Sequence, residues 1–387
     1  MKMTRRAFTA GAGGMTLAAF LAACSDSGDG GDADTSTGGG GDTGGDGGLT
    51  PVKLQLQWLP QAQFAGYFAA QDQGFFAEEG LEVEIIPSGG DIVPQDALAS
   101  GDVDFCIAWV PKVLGSIEQG ANLTNIAQIF QRSGTLQVAF ADSGISSVAD
   151  FEGKRIGSWG FGNEWEIFAA MAAEGLDSTS VQIVTQDFNM TAFLQGDIDA
   201  AQAMTYNEWA QVLESLNPDT GELYTPEEFN VIAYQDTAGG MLQDSIWADA
   251  GRLADAEYES TAVALLKAVI KGWAYARDNV ESAAEITIGA GSTWGPSHEL
   301  WMANETNKLI WPAPGGIGVI DTAAWEQTVA GALAAVNEQG QHLITAEPPA
   351  TAYSNDYIEQ AISELGDIDT TGEGYQPIEV ELTEGGN

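Results

Sequence analysis

From Val52 onward the chain alternates short apolar runs with amphipathic stretches, and before Val52 it does neither. Lys53-Leu54-Gln55-Leu56-Gln57-Trp58 alternates polar and apolar positions, which predicts a strand. A helical pattern at 63–79 follows, closed by Gly80, a residue suited to the left-handed position just past a helix. A second strand at 82–86 leads through Pro87-Ser88-Gly89-Gly90 into a helix opening at Asp91, and a third strand at 103–108 is again followed by a helix. Strand, helix, strand, helix at this spacing predicts a parallel sheet with right-handed crossovers.

A second unit of the same kind begins near Ser147. It has strands at 153–159, 181–185 and 200–203, with helices opening near Asn163 and at Tyr206. The stretch at 217–228 is rich in turn residues and reads as a surface excursion. After Ala254 helices dominate, and Ala262, Leu265, Leu266, Val269, Ile270, Trp273 and Ala276 fall on one apolar face. Two α/β units with a helical tail imply two lobes around a cleft. The expected divisions are 51–142 for the first part of lobe 1, 143–242 for lobe 2, and 243–387 for a return to lobe 1 plus a helical C-terminal region.

The first 24 residues change the picture. Arg5 and Arg6 precede a short, glycine-containing apolar run that ends Leu21-Ala22-Ala23-Cys24. Paired arginines before such a run read as a twin-arginine export signal, and small residues abutting Cys24 read as a lipoprotein cleavage box with Cys24 as the acylated residue. The run is too short and glycine-rich to favour spanning ~30 Å of hydrocarbon. Residues 25–50, nearly all Gly, Asp, Ser and Thr, read as a disordered tether. The protein is therefore expected outside the cytoplasm, lipid-anchored to the cell membrane on its envelope side.

Charge excludes some partners. Three of the 13 basic residues (Lys2, Arg5, Arg6) precede Cys24, leaving 10 against 56 acidic groups. A body this acidic repels nucleic acid and anionic lipid headgroups. It suits salty surroundings, where salt screens self-repulsion; ordinary acidity of an exported protein is the alternative. Only Cys24 and Cys106 exist, so with Cys24 lipidated no disulfide is expected, and Cys106 reads as a buried strand residue.

Ligands of open α/β sheets bind beyond the carboxyl ends of the strands. Those places hold Trp58, Gln61, Phe64 and Tyr67 after strand one, then Ser88, Gly89, Gly90 and Asp91, then Trp109. In the second unit they hold Trp159, Phe161, Gly162, Asn163, Glu164 and Trp165, then Asn189, then Tyr206, Asn207 and Glu208. Aromatic plates with amides and carboxylates between them suit a flat heteroaromatic ligand, and Lys112 is almost the only cation nearby. Neither a Gly-x-Gly-x-x-Gly loop nor a Walker lysine is present. No catalytic residue, cofactor or metal is expected, and the two histidines, His298 and His342, read as ordinary helix residues.

Trp58-Leu-Pro-Gln-Ala-Gln-Phe-Ala-Gly66-Tyr67, Gly74-Phe75-Phe76-Ala-Glu-Glu-Gly80, Gly101-Asp-Val-Asp104, Phe151-Glu-Gly153-Lys154 and Tyr206-Asn207-Glu208 resemble a known family. It comprises the substrate-binding proteins of ABC importers related to the fungal thiamine-pyrimidine synthase, and the likeness extends over roughly 50–245, more loosely to 345. The resemblance implies a type II periplasmic-binding-protein fold: α/β, two lobes of mixed, mainly parallel sheet flanked by helices, two crossover strands, and ligand in the cleft. It implies a monomer serving a permease and an ATPase, with the membrane met only through the lipid. The implied ligand is a thiamine pyrimidine precursor; riboflavin, or nitrate, a sulfonate or taurine, are the alternatives, and a ligand sensor is a further one. The fungal enzymes carry a Lys and a His where this chain has Ala108 and Lys112, and a cysteine cluster it lacks, so binding rather than synthesis is expected.

Overall fold

The computed structural model describes residues 48–387; the expected signal, Cys24 and most of the tether lie outside the described residues. The first sheet holds β1 (Thr50–Gln55), β2 (Leu81–Ile86), β3 (Phe105–Trp109) and β4 (Leu123–Gln128). The second holds β5 (Thr135–Phe140), β6 (Arg155–Ser158), β7 (Gln182–Thr185), β8 (Ala200–Met204) and β9 (Phe229–Ala233); β10 (Asp244–Asp249) returns to the first. The orders are β2-β1-β3-β10-β4 and β7-β6-β8-β5-β9.

These orders are the same pattern twice. In each sheet three parallel strands run second, first, third, followed by one reversed strand that has crossed from the other sheet, and then a fourth. β10 pairs antiparallel with both β3 and β4, and β5 does so with both β8 and β9. The sheets are therefore mixed, with one reversed strand each. β5 precedes residue 143 yet pairs inside the second sheet, so the second sheet begins earlier in the chain than the expected division.

Helices α1 (Ala65–Asp72), α2 (Phe75–Glu78), α3 (Pro94–Ser100) and α4 (Val110–Glu118) connect the first strands. The single helix expected over 63–79 is broken at Gly74, whose φ is 77°. α5 (Trp165–Ala173), α6 (Thr191–Leu194) and α7 (Glu208–Leu213) belong to the second sheet. α8 (Ala256–Asp278), α9 (Val280–Gly289), α10 (Pro296–Ile310), α11 (Thr322–Ala334) and α12 (Asp356–Glu364) form the tail.

The expected apolar face of α8 is buried throughout, from Ala262 to Ala276, and Asp255 caps the helix by accepting from the Glu257 and Tyr258 N–H groups. α8 crosses α1 with almost no gap: a Cβ on Gly66 would lie 2.2 Å from the Trp273 ring, and one on Gly272 would lie 2.0 Å from the Gly66 carbonyl. Cys106 is wholly buried in β3, and burial pushes its thiol up. No helix among the described residues is long and apolar enough to cross a membrane.

Buried polar side chains tie the two crossovers together. Gln128 Nε2 donates to the carbonyls of Phe130 and Gln243 at 2.9 and 3.1 Å. Glu166, 2% exposed, accepts from the Met241 N–H at 2.9 Å and from Gln243 Nε2 at 3.0 Å, and Thr135 Oγ1 donates to the same carboxylate. Polar residues in buried strands are satisfied here by backbone from the neighbouring crossover, which fixes the register of the connection.

Candidate functional site

Both sheets turn the ends of their strands toward one cavity of about 890 Å³, near the upper end of the usual range for small-molecule sites. The structure brings thirteen of the expected residues to it. From the first sheet come Trp58, Gln61, Gly89, Gly90 and Trp109. From the second come Trp159, Phe161, Gly162, Asn163 and Trp165, with Tyr206, Asn207 and Glu208 at the end of β8.

Six others do not line it. Phe64 and Tyr67 are 0% and 1% exposed in the core, because the start of α1 is covered by α8 and α9 and has no wet face. Ser88 is buried under the rim, where its hydroxyl donates to the Ile92 carbonyl and accepts from the Gly90 N–H. Asp91 points to solvent. Asn189 is exposed, its Oδ1 taken by the Thr191 N–H at the start of α6. Glu164 sits behind the wall at the start of α5, with one carboxylate oxygen buried and unpaired; burial pushes its pKa up.

The sequence reading missed the polar group behind the first-lobe wall, which holds three lining side chains. Asp244, the first residue of β10, is 1% exposed and accepts three bonds. Gln57 Nε2 and Trp109 Nε1 donate to its Oδ1 at 2.5 and 2.7 Å, and Gln63 Nε2 donates to Oδ2 at 2.8 Å. Gln61 Nε2 donates onward to Gln63 Oε1 at 2.8 Å. Burial pushes the Asp244 carboxyl up to about 7, against the pull of these donors and of Lys112. A carboxylate inside a buried strand, with no turn residue around it, carries no periodic signal. The three polar letters Gln243-Asp244-Ser245 between apolar neighbours were the only trace of it.

Across the cavity, Glu208 is 2% exposed and accepts from the Met204 N–H at 3.0 Å and from Asn207 Nδ2 at 3.1 Å. Burial pushes it up to about 7. Lys112, partly exposed, holds its Nζ 5.2 Å from the Trp109 ring centroid. Burial lowers it to about 8, with Glu164 and Asp244 pulling the other way. The site thus sets several carboxylates against one ammonium.

Aromatic rings meet across the cleft. Trp58 of the first lobe lies 4.5 Å from Phe188 of the second, and Phe188 stacks at 6.0 Å on Trp159. Phe161 stands at the mouth, 87% exposed, with a φ of 55° between Gly160 and Gly162, which also have positive φ. A bulky residue in the left-handed region is strained, and strain of this kind is kept where geometry serves a site. His342 also lines the mouth; it lies outside any helix, paired to Val336, and so departs from expectation. His298 is on α10 as expected but is wholly buried, its Nδ1 hydrogen-bonded to the Glu214 carboxyl group.

A family model described as NMT1/THI5 like matches residues 61–283. A thiamine biosynthesis protein of Haemophilus influenzae is 26% identical over 187 residues, 48% of this chain and 59% of that protein. A formylaminopyrimidine-binding protein of Halalkalibacterium halodurans is 23% identical over 242 residues, 62% and 70% of the two chains. A riboflavin-binding protein of Chloroflexus aurantiacus is 28% identical over 190 residues, 48% and 54%. The chain thus spans little more than half the length of the first and third of these relatives. Others carry an enzyme's name: a 4-amino-5-hydroxymethyl-2-methylpyrimidine phosphate synthase of Legionella pneumophila is 26% identical over 147 residues, 38% and 46%. Among solved structures, a periplasmic sulfonate-binding protein of Methylobacillus flagellatus superposes with a TM-score of 0.59 at 16% identity, covering 86% of this chain and 99% of that one. That likeness bears on the fold: a two-lobed periplasmic-binding-protein architecture.

Proposed function

The chain belongs to the NMT1/THI5-like family, and from that premise we propose that it is an extracytoplasmic substrate-binding protein of an ABC importer. Its ligand is a small planar heteroaromatic molecule, first of all an aminopyrimidine precursor of thiamine, which it delivers to a membrane permease. The observation that carries this reading is the polarity of the cleft. Glu208 offers a buried acceptor among aromatic plates, Asp244 holds the lining amides of Gln57 and Gln63 and the Trp109 indole from behind, and Lys112 is flanked by the charges of Glu164 and Asp244. A ring with exocyclic amino donors satisfies such a wall, whereas nitrate or a sulfonate meets like charge.

Riboflavin is the second reading, supported by the cavity's size of about 890 Å³, ample for a three-ring ligand. Catalysis is not part of the proposal. Ala108 and Lys112 line the cavity where the fungal enzymes of the resembled family place Lys and His, and neither side chain reproduces that pair. The lipid anchor at Cys24 belongs to the same proposal: Cys24→Ala is expected to leave an unacylated protein that is uncleaved or released, and a variant still membrane-bound after proteolytic removal of residues 1–23 would refute the anchor. For the ligand, native mass spectrometry of protein purified without denaturation reads any co-purified molecule directly. A mass increment of an aminopyrimidine supports the first reading, a flavin mass the second, and a sulfonate overturns both.

A further inference from the structure

A chain of buried polar groups runs from the lobe interface into the cavity wall. Glu214 follows α7 in the second lobe, and His298 lies on α10, which packs against the first. The His298 Nδ1 sits 3.0 and 2.9 Å from the two Glu214 carboxylate oxygens. Its Nε2 sits 3.1 Å from Asn207 Oδ1, and Asn207 Nδ2 donates to Glu208 Oε1 at 3.1 Å. His298 is 0% exposed and Glu214, Asn207 and Glu208 are 5%, 6% and 2% exposed.

The polarity of these bonds is determined by what each atom is able to do. Asn207 Oδ1 also accepts from Gln211 Nε2 at 3.1 Å, so it faces His298 as an acceptor. Nε2 therefore carries a proton. Nδ1 faces both Glu214 oxygens, so with Glu214 ionised it carries a proton too. Water is kept out by the chain's last residues. The Gly385 N–H donates to the Glu214 carbonyl at 3.1 Å, and a Cβ on Gly386 would lie 2.9 Å from His298 Cβ and 3.2 Å from both Glu214 oxygens. Trp294 stacks on the imidazole at 4.1 Å.

We propose that His298 is a positioning residue for the ligand site: its doubly protonated ring orients the Asn207 amide so that Glu208 faces the cavity as an ionised acceptor. The proposal rests on the reading of this cleft as the ligand site. Were His298 to present a bare Nε2, the amide would turn to donate to it. Its carbonyl would then oppose Glu208 Oε1, and that carboxyl would take up a proton to restore a hydrogen bond. The cavity wall would change from acceptor to donor. Because Glu214 and His298 come from different lobes, the same pair ties the acceptor wall to the way the lobes meet.

The other titratable groups here are few. Tyr206 adjoins Glu208 on the cavity side. On His298's own helix, Glu299 accepts from the Ala62 N–H at 2.8 Å and from Ser292, facing away from the pair. Glu208 already titrates near neutrality, raised to about 7 by burial, so a small change in its partner moves its charge across the working pH range.

The test is a carboxyl 13C titration of the whole protein, with the Glu208 signal assigned from its loss in Glu208→Gln. In Glu214→Gln the neutral amide leaves His298 one proton; where 15N spectra place it on Nδ1, the Glu208 midpoint is expected to rise by about one pH unit or more. His298→Gln, which has a donor for only one neighbour, is expected to do the same and serves if the first variant does not fold. In the unaltered protein at pH 7, 15N spectra are expected to show both His298 ring nitrogens protonated. Binding of 4-amino-5-hydroxymethyl-2-methylpyrimidine at pH 7.5 is expected to fall about threefold or more where the midpoint rises, and to recover at pH 9. A Glu208 midpoint unmoved in a folded variant whose Nε2 is bare or whose imidazole is replaced, or a neutral His298 in the unaltered protein, overturns the proposal. Failure of the unaltered protein to bind the pyrimidine overturns the ligand reading instead, and leaves the two spectroscopic arms to decide this one.

Discussion

The indole N–H of Trp109 donates to Asp244 Oδ1 at 2.7 Å, which joins an aromatic plate at the end of β3 to the first residue of the returning strand β10. The plate's tilt is therefore set by the crossover itself. Asp244→Asn keeps the shape but puts an amide N–H₂ among three donors, leaving at least one buried donor without a partner. The expected cost is about 1–3 kcal/mol of stability. Ligand affinity is expected to fall at least tenfold, read by calorimetry against the unaltered protein. Unchanged affinity in a folded variant would remove Asp244 from the site.

Stability should rise as the pH is lowered toward 5. Asp244, Glu208 and Glu299 are each pushed up to about 7 by burial, whereas unfolded carboxyls titrate near 4. Between those values the folded chain holds protons that the unfolded chain has released. These groups therefore stabilise the fold below about 4, and that contribution is lost as the pH rises to about 7. Thermal melts at pH 5.5 and 8.0 in one salt concentration test this. A lower melting temperature at pH 5.5 would contradict it.

Phe161 combines a positive φ of 55° with 87% exposure at the cavity mouth. Phe161→Gly should relieve roughly 1 kcal/mol of backbone strain while removing an aromatic face. The expected outcome is an unchanged or raised melting temperature with a fivefold or greater loss of ligand affinity. Loss of stability with affinity intact would show that the residue serves the fold alone.

Beyond residue 24 the chain carries 10 basic against 56 acidic groups. Salt shortens the range of their repulsion from ~30 Å at 0.01 M to ~3 Å at 1 M. The melting temperature is expected to climb markedly between those concentrations, as scanning calorimetry will read. A flat response would mean that the charges are spaced well enough not to matter.

What could be read from the sequence followed periodicity. The face of α8 and the strand β2 stood out because apolar spacing marks an element that is wet on one side, and Trp58, Trp109 and Tyr206-Asn207-Glu208 followed from their places at strand ends. The same rule misplaced Phe64 and Tyr67, since a strand end continued by a helix buried on all sides sends its aromatics into the core. β4, β5, β9 and β10 went unseen. In β4 and β10 every residue but Asp249 is buried, and polar letters there bond inward rather than marking an outer face: Asn125 to Gln128, Gln128 to the crossover carbonyls, and Asp244 to Gln57, Gln63 and Trp109. His298 looked ordinary because its partners, Glu214 and Asn207, are 84 and 91 residues away in the chain.

The central claim is that this cleft captures a planar, donor-bearing heteroaromatic ligand, and calorimetric titration of the purified protein tests it most directly. Aminopyrimidines, riboflavin, taurine and nitrate are titrated in turn, with Trp58→Ala as the control for the aromatic wall. The account predicts saturable binding of an aminopyrimidine, or of riboflavin, weakened by about 1–3 kcal/mol when Trp58 is removed. Binding of taurine or nitrate alone, with Trp58→Ala indistinguishable from the unaltered protein, would contradict it.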